Sequence, residues 1–595
     1  MHISSFYSKE IRPHLASLCL ITLLSLSIYV GSAFTPSLQD DADAAHAQAA
    51  KEIAETGDWI TLHINGIRYL EKAPLMYWMV AISYKVFGYT EFATRLPLAL
   101  ASLFLALVVF YFGRWIGGER AGLYSALGVV TGLGFYLFTR ILIPEVILTL
   151  WITCAMFAFL KAYHEESSAR LYYVFYFFMA LAVLTKGLIG IVFPSGILFA
   201  YVFYTGGLHK IPTMRIFTGS LLFLLISAPW HIAAGLANRG GPQGRGFFWF
   251  YFVNEHFLRY LGKRYPVDYD TVPIEQFWGL HLVWVFPFTT FLPFAFSRLR
   301  KALLSRRLDD QKQVFLWLWA LVIVGFFSFS TRQEYYTYPA FPAIALMCGV
   351  ALADREQARD SRLIYGQGFL AGAGLLIGLL LLFLVWQSWH LPATDDISKV
   401  LTSNPENYRL ALGHMSDLTT EAFAVLRTPA IGAAVCMLGF VPAFWLRLKR
   451  LHLQSTLLMT LTVAGFLFFA HNALGYFDPY LSSKGLAKEI EKRYEPGSLV
   501  VIHGEYQGGS SIGFYLKDRV LLLNGRMTGL EFGSYYPDAP KVFIDNEQIR
   551  TLWKSERRIF LFTYDDKFHL IEKYLEGGVY RIAAAGEKSI YSNRE

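Results

Sequence analysis

Three carboxylates and a histidine follow the first long apolar segment of the chain. This segment, Leu15–Phe34, is long enough to cross a membrane, and Asp40, Asp41, Asp43 and His46 come shortly after it. A carboxylate close to the hydrocarbon boundary is costly unless it is solvated or paired. A solvated loop or the acidic first turn of a helix would explain these residues without chemistry. The chemical alternatives are a general base or the ligands of a divalent cation.

Four basic residues are predicted at the same outer edge of the membrane as these acids. They are Lys72, Lys186, Arg259 and Arg332. One such residue could simply extend its charge from the apolar boundary into water, but several together favour a site for an anion. Because lysine and arginine neutralise an anion, no metal or other cofactor is required. A Mg²⁺ or Mn²⁺ ion held by the three aspartates and His46 is the alternative.

The composition indicates which elements position these residues. Of the 595 residues, 54% are hydrophobic and 16% are charged, whereas soluble proteins carry about 25% charge. This excludes a disordered or ordinary cytosolic chain and predicts a mainly α-helical, polytopic membrane protein. The net charge of +8 does not indicate a nucleic-acid partner, because the basic residues lie between apolar runs. All four cysteines fall inside apolar runs, which excludes a disulfide framework.

Thirteen apolar stretches are compatible with membrane spans. They are Leu15–Phe34, Leu96–Phe112, Ala121–Phe138, Ile143–Leu160, Tyr172–Leu184, Leu188–Tyr204, Ile216–Leu236, Phe277–Phe296, Val314–Phe329, Tyr336–Leu352, Phe369–Trp386, Ala430–Leu446 and Leu457–Ala470. The segment Pro74–Phe87 is also apolar, but its short length and Lys85 favour an interfacial helix.

Basic residues in the short connections predict the orientation of these spans. Lysine and arginine concentrate in the connections that are cytoplasmic when the amino terminus is inside, such as 298–312 and 447–450. The chain then consists of a transmembrane domain (1–475), with a periplasmic active-site loop and interfacial helices at 35–92, and a small periplasmic α/β domain (476–595). In that last domain we predict strands at Val500–Ile502, Val520–Leu523 and Arg558–Phe562, and helices at Leu486–Arg493 and Gln548–Lys554.

The first outer loop carries a long pattern that resembles a known family of enzymes. It contains Gly57-Asp58-Trp59, then Asn65-Gly66-Ile67-Arg68-Tyr69-Leu70-Glu71-Lys72-Ala73-Pro74, then Arg95-Leu96-Pro97. This run resembles the first periplasmic loop of the GT-C glycosyltransferases that use polyprenyl-phosphate sugars. The likeness is greatest to the lipid A aminoarabinose transferases and their relatives among the protein O-mannosyltransferases. Later landmarks of the family recur in order: Ile143-Pro144-Glu145, Leu184-Thr185-Lys186-Gly187, Phe252 to Arg259, and Phe326 to Pro342.

The resemblance implies a GT-C-like fold and assigns roles to individual residues. The catalytic acids would be Asp41 or Asp43, which are equal candidates for the leading acid, and Glu145, which stands where the family usually has aspartate. The donor phosphate would bind Lys72 above all, with Lys186, Arg259 and Arg332 in support. The implied substrate-binding residues are Arg68, Tyr69, Glu71, Glu255, His256, Tyr335 and Tyr336.

These residues predict a glycosyltransferase of the bacterial inner membrane. It would move a sugar from a polyprenyl-phosphate carrier to a lipid A-like lipid or another periplasmic acceptor, with inversion at the anomeric carbon. An acceptor hydroxyl would use Asp41 or Asp43 as general base. An acceptor phosphate arrives already ionised, and the acids would then orient the sugar. The alternatives are a protein O-glycosyltransferase of the same fold, a lipid or sugar transporter, and a scaffold without activity.

Overall fold

The structure, a computed structural model, describes residues 3–165, 169–267, 271–305, 307–404 and 413–595. Arg306, a basic residue of a predicted cytoplasmic connection, lies outside this part of the chain. Ten helices in the described part are long and apolar enough to cross a membrane, and a bent pair would make eleven. The ten are His14–Phe34, Glu91–Gly117, Glu145–Glu165, Ala169–Lys186, Ile216–Ala237, Asp310–Ser328, Glu334–Gln357, Leu363–Gln387, Arg427–Leu448 and His452–Tyr476.

The predicted count of thirteen spans is not confirmed, although each of the thirteen stretches is helical. Three of the stretches differ from a straight spanning helix. Ile189–Tyr204 is apolar but has only 16 residues. Ile274–Trp284 and Phe288–Leu304 meet at an angle of 96° and form the bent pair. The third stretch is divided into Glu119–Thr131 and Leu133–Phe138.

Gly132 causes the break between these last two helices. Its ψ of 130° takes the backbone out of helical geometry. A β-carbon at this position would meet the carbonyl oxygen of Gly128 at 2.7 Å, so only glycine fits. The neighbouring helix Phe341–Gln357 is buried along nearly all of its length and packs against Glu119–Thr131. The break therefore lies beside the centre of the bundle.

The loop after the first span folds into two helices and a hairpin. Helix Ala42–Thr56 is followed by strands β1 (His63–Ile64) and β2 (Ile67–Arg68), which pair antiparallel through an Asn65-Gly66 turn. Helix Leu75–Phe87 comes next and coincides with the predicted interfacial helix. These elements bring the acids after the first span and the Glu71-Lys72 pair into one compact layer.

The last part of the chain forms a six-stranded mixed sheet. Its strands are β3 (Leu499–His503), β4 (Leu521–Leu523), β5 (Phe543–Ile544), β6 (Ile559–Tyr564), β7 (Tyr580–Ala585) and β8 (Lys588–Ser592), in the order β5-β4-β3-β6-β8-β7. The first four are parallel, and β8 is antiparallel to both neighbours. The longest α-helices of this region are Lys484–Lys492, Ser510–Tyr515 and Asn546–Trp553. The predicted strands and helices are confirmed, whereas the domain boundary at residue 476 stays a prediction.

Buried polar contacts join this sheet region to the first loop. The Asp40 carboxylate pairs with Lys588 at 2.8 Å and accepts hydrogen bonds from Ser483 and Ser511. Lys51 donates to the carbonyl oxygen of Phe514 at 2.8 Å. Because these charged groups are removed from water, their contacts fix the loop against the sheet.

We expect the Asp40→Asn variant to be markedly less stable. The substitution leaves the Lys588 ammonium buried without a carboxylate, and losing one partner of a buried pair costs about 3 kcal/mol. Thermal unfolding of the purified protein in detergent measures the effect. Lys492→Ala, which removes an exposed ion pair with Glu489, is the matched control and should change stability by less than about 1 kcal/mol. Equal melting temperatures for Asp40→Asn and the wild type would contradict a fixing role for this contact.

Candidate active site

Five charged side chains form a continuous line of ion pairs at the base of the first loop. Lys72 contacts Glu71 at 3.0 Å, and Arg264 contacts the same Glu71 carboxylate at 3.2 Å. Arg264 also reaches Glu255 at 2.7 Å, and Arg259 reaches the other oxygen of Glu255 at 2.9 Å. Glu71, Glu255 and Arg264 are all buried. A segment far along the chain is thus tied to the predicted phosphate-binding lysine.

A further ion pair lies beside these five residues. Glu145 is buried and pairs with Lys186. The Lys186 ammonium lies 4.7 Å from the centre of the Tyr336 ring and 5.8 Å from that of Tyr335. The Tyr336 hydroxyl accepts a hydrogen bond of 2.8 Å from Arg259, which connects this pair to the other five residues.

We call the seven charged residues the polar cluster. They are Glu71, Lys72, Glu145, Lys186, Glu255, Arg259 and Arg264. Four basic and three acidic groups give it one net positive charge. Lys186 also interacts electrostatically with Lys72 and Arg259. An anion entering the cluster therefore meets a local excess of positive charge.

The two acids that Arg264 bridges differ in their proton affinity. Burial raises the pKa of Glu71, but Lys72 and Arg264 outweigh it and lower that pKa to about 2. The pKa of Glu255 is instead raised, by its burial and then by the negative charge of Glu71. Glu71 is therefore the firmly ionised member of the pair, and it holds the Lys72 ammonium in place.

A tight turn fixes Lys186 at the end of its helix. Gly187 follows with φ of +74°, a left-handed conformation that favours glycine. A β-carbon at Gly187 would lie 2.3 Å from the Nε2 atom of His256. This contact explains why glycine follows Lys186 in the motif that the sequence presents.

His256 supports the turn after Lys186 through hydrogen bonds to the backbone. Its Nε2 atom accepts a hydrogen bond of 3.0 Å from the Leu188 amide, so Nδ1 carries the proton and donates to the Tyr251 carbonyl oxygen at 2.6 Å. Burial, with Arg259 as a further cause, lowers the pKa of His256 to about 4. Both ring nitrogens thus contact the backbone and hold the turn, and the substrate-binding role of His256 stays a prediction.

Asp43 is fully buried and holds the first loop together. Its carboxylate contacts Arg95 at 3.3 Å and accepts hydrogen bonds from the backbone amides of Leu142 at 2.9 Å and Gln39 at 3.1 Å. These partners occupy both oxygens. The carboxylate therefore positions the start of helix Ala42–Thr56 and the loop before Glu145.

Asp41 has a different environment from Asp43. Its residue is exposed, and its φ of 72° is unusual for a residue other than glycine. The carboxylate interacts electrostatically with Tyr335, which itself lies beside Lys186. Of the two acids that the sequence left as equal candidates, Asp41 is the one that solvent can reach.

Arg68 and Arg332 have no contact with the polar cluster in the described part of the chain. Arg68 pairs with Asp538, with one contact of 2.8 Å, and donates to Asn238 at 2.9 Å. Arg332 donates to the Val272 carbonyl oxygen at 2.7 Å. These guanidinium groups join chain segments, and the substrate-binding role of Arg68 and the phosphate-binding role of Arg332 stay predictions.

Tyr69 belongs to the same site, together with Tyr77 and Arg264, two residues that the sequence analysis missed. The Tyr69 hydroxyl lies 3.3 Å from the Nε2 atom of His46. Tyr77 is buried, its hydroxyl has no hydrogen-bond partner among the described residues, and it interacts electrostatically with Glu71 and Glu145. Tyr77 was missed because it reads as part of an apolar helix. Arg264, the other missed residue, lies in a loop outside every motif used.

The four residues of the alternative metal site are not brought together. Asp40 is bound to Lys588, and Asp43 is bound to Arg95. His46 uses Nδ1 to contact the Leu142 carbonyl oxygen at 2.6 Å. Within the described ranges, no three acidic, histidine or cysteine residues are arranged to hold a metal ion.

The helical bundle, with ten helices able to cross a membrane in the described part of the chain, defines a multi-pass membrane protein. The crystal structure of ArnT from Cupriavidus metallidurans bound to undecaprenyl phosphate matches it with a TM-score of 0.79. The match covers 97% of each chain at 22% sequence identity. The same protein in the apo state gives a TM-score of 0.78 at 21% identity. The predicted fold class is confirmed.

The sequence is similar to the same group of proteins. The family model of dolichyl-phosphate-mannose-protein mannosyltransferases matches residues 71–232. The undecaprenyl phosphate-alpha-4-amino-4-deoxy-L-arabinose arabinosyl transferase of Aeromonas hydrophila is 29% identical over 57% of this chain, and that of Pseudomonas aeruginosa is 28% identical over 55%. The chain spans 60% and 58% of the length of these two relatives. The resemblance predicted from the loop motifs is confirmed.

Lowering the pH should reduce the stability of the fold, because burial keeps His46 and His256 in their neutral form. Burial is the main cause that lowers the pKa of each to about 4, below the ordinary value of 6.5. The unfolded chain therefore binds these protons first, and stability should fall as the pH drops from 6.5 to 4.

Melting temperatures between pH 7.5 and 4.5 measure this dependence. We expect His256→Gln to have a lower melting temperature at neutral pH and a shallower fall towards acid. His209→Gln, at an exposed histidine, is the control and should follow the wild-type profile. A His256→Gln profile parallel to that of the wild type would contradict the assignment.

Proposed function

We propose that this protein is a membrane glycosyltransferase that uses a polyprenyl-phosphate sugar as donor. The observation that carries the proposal is the convergence of Lys72, Lys186 and Arg259 with Glu145, close to an exposed Asp41. A lipid-linked sugar phosphate has an apolar tail, a phosphate and a sugar. Its enzyme needs cations for the phosphate and carboxylates for the sugar at the edge of an apolar bundle, and this chain has both.

The printed names of the similar proteins support the same chemistry. Those relatives are undecaprenyl phosphate aminoarabinose transferases, and the similar crystal structure contains undecaprenyl phosphate. By this likeness we propose undecaprenyl or another polyprenyl phosphate as the carrier. A lipid A-like lipid is the proposed acceptor. We also propose the bacterial inner membrane as the location, with the amino terminus in the cytoplasm and the sheet region in the periplasm.

The cations stabilise the leaving phosphate as the glycosidic bond breaks. In the free protein, Glu71 neutralises Lys72 and Glu145 neutralises Lys186. A phosphate that enters competes for these ammonium groups and also meets Arg259. Cations that are already oriented lose little entropy when negative charge develops, and such fixed groups contribute most of the electrostatic stabilisation in many enzymes.

The carboxylates act on the sugar and on the acceptor. We assign Asp41 as the reactive acid and Asp43 as a positioning residue, because only Asp41 is exposed. Asp41 serves as general base for an acceptor hydroxyl, or orients the sugar when the acceptor is an ionised phosphate. The Oε2 atom of Glu145 is buried, without a partner among the described residues, and is available to a polar group of the sugar. One displacement on the anomeric carbon inverts its configuration.

The remaining residues form the walls of the site. Tyr69, Tyr335 and Tyr336 provide aromatic surface and hydroxyl groups beside the cluster, which is the usual composition of a sugar site. Glu71 and Glu255 act on the substrate through the cations that they hold. Arg68, His256 and Arg332 are left out of the proposed substrate contacts.

Transfer of a radiolabelled sugar tests the proposal. Purified protein is incubated with undecaprenyl-phosphate sugars, including the aminoarabinose form, and with a bacterial lipid extract. We expect Lys72→Ala to lower the transfer rate by roughly 10²–10³-fold, because it removes a group that stabilises the leaving phosphate. Lys85→Ala is the matched control, because this exposed lysine of the same loop lies over the Trp59 ring and outside the polar cluster, and it should keep the wild-type rate.

The acids give a second comparison in the same assay. Asp41→Asn should abolish most transfer and leave the melting temperature unchanged. Asp43→Asn should lower the melting temperature, since it breaks the buried contact with Arg95. If wild-type protein yields no product but moves the donor across sealed vesicles, the protein is a transporter and the proposal is wrong. A labelled protein product instead of a labelled lipid would favour a protein O-glycosyltransferase.

The reaction as proposed needs no metal, because basic side chains supply the charge. We expect transfer by the purified protein to proceed at an unchanged rate in excess EDTA. Restoration of an EDTA-inhibited rate by Mg²⁺ or Mn²⁺ would contradict this part of the proposal.

A further inference from the structure

The hydroxyl of Tyr77 is a buried polar group to which no role has been assigned. Tyr77 lies on helix Leu75–Phe87, shortly after Lys72. The residue is 1% exposed, and its hydroxyl has no hydrogen-bond partner among the described residues. Buried polar groups in native proteins are nearly always hydrogen-bonded. An open hydroxyl at this position therefore indicates a group that binds to it.

Residues of the candidate site lie near this hydroxyl. Tyr77 interacts electrostatically with Glu71, Glu145 and Tyr69. The imidazole of His46 packs against the Tyr77 ring, with ring centres 5.7 Å apart and an angle of 83° between the planes. This edge-to-face contact and the complete burial fix the direction of the ring. The hydroxyl is thus held beside the acids of the polar cluster before any substrate binds.

Glu145 provides a second open polar atom in the same region. Its Oε1 atom holds the Lys186 ammonium, whereas Oε2 is buried and has no hydrogen-bond partner among the described residues. The Tyr77 hydroxyl and this carboxylate oxygen are not bonded to each other, although the two side chains interact electrostatically. A single group bound between them would satisfy both.

The Tyr77 hydroxyl keeps its proton at neutral pH. Burial, and then the negative charges of Glu71 and Glu145, raise the pKa of Tyr77 well above its ordinary value of 10. The phenol therefore has a hydrogen to donate, whereas the ionised carboxylate of Glu145 can only accept one.

A hydroxyl group matches this pair of open atoms. Its oxygen accepts the hydrogen bond from Tyr77, and its own hydrogen is donated to Oε2 of Glu145. A phosphate oxygen would accept from Tyr77, but the carboxylates of Glu71 and Glu145 would repel it. An ammonium group would be attracted by Glu145, but it has no lone pair to accept the hydrogen of Tyr77.

We propose that Tyr77 and Glu145 form a subsite for a hydroxyl group of the donor sugar. The inference rests on the proposed function, in which the sugar of the lipid-linked donor lies next to Glu145. Lys72 and Lys186 bind the phosphate, and Tyr77 binds a ring hydroxyl on the side of the carboxylates. Tyr77 thus contributes to recognition of the sugar, and the lipid carrier is bound without it.

Native mass spectrometry of the full chain in detergent tests this subsite. The protein is titrated with the aminoarabinose and mannose forms of undecaprenyl-phosphate sugar, and with undecaprenyl phosphate, which lacks a sugar. We expect Tyr77→Phe to weaken binding of the better sugar-bearing lipid roughly tenfold, because one hydrogen bond to the sugar is lost. The same variant should bind undecaprenyl phosphate as the wild type does.

Tyr84→Phe is the matched control on the same helix. The hydroxyl of Tyr84 is hydrogen-bonded to Thr94 at 2.7 Å and lies outside the polar cluster. This variant loses the same atom from a buried tyrosine, and its affinity for each lipid should equal that of the wild type.

Thermal unfolding in the same detergent separates recognition from folding. Without lipid, Tyr77→Phe should be at least as stable as the wild type, because phenylalanine keeps the ring and removes an unsatisfied buried hydroxyl. Wild-type affinity of Tyr77→Phe for the sugar-bearing lipid, as expected if only a water molecule occupies the subsite, would overturn the proposal. Equal weakening of all three lipids would also overturn it and assign Tyr77 to the phosphate.

The titration also distinguishes this proposal from the proposed function. If the wild type binds neither sugar-bearing lipid, the proposed function is wrong and the subsite is wrong with it. If the wild type binds and transfers the sugar and Tyr77→Phe does so equally well, the subsite alone is wrong.

Discussion

The candidate site depends on one buried guanidinium group shared by two carboxylates. Arg264 contacts Glu71 at 3.2 Å and Glu255 at 2.7 Å, and all three side chains are nearly out of contact with water. Burying these charges is costly, and only close pairing offsets the cost. The same two carboxylates hold Lys72 and Arg259. A contact made for structural reasons thus brings two cations from distant segments into one place and keeps them oriented before any substrate arrives.

The sequence predicts the helices and strands of this molecule well, because runs of apolar residues are a strong local signal. Every apolar stretch is helical, and the strands around Val500, Leu522 and Phe560 fall where short apolar runs indicated buried strands. The number of spans was less predictable. Gly132 breaks one stretch, and a bend of 96° turns another, and both depend on packing between segments far apart in the chain.

The site was predicted in part, and the residues explain the limit. Lys72, Lys186, Glu145 and Arg259 converge as expected, because motifs at the ends of membrane helices meet on one face of the bundle. Asp41 and Asp43 are the same residue type, so the sequence does not show which of them is buried. That difference depends on a tertiary contact, the pairing of Asp43 with Arg95. Arg264 and Tyr77 carry no local signal for function. One lies in a loop, the other in an apolar helix, and only tertiary contacts reveal their position.

The pair between Asp40 and Lys588 has a consequence for the order of biosynthesis. These two residues are 548 positions apart in the chain, and the contact also holds the loop that bears Asp41. At ribosomal speeds of about 5–20 residues per second, roughly half a minute or more separates the emergence of the two partners. During that interval the membrane helices insert while the loop that bears Asp41 still lacks its contacts with the sheet region. The nascent chain therefore passes through an immature stage, which ends only when translation has delivered strand β8.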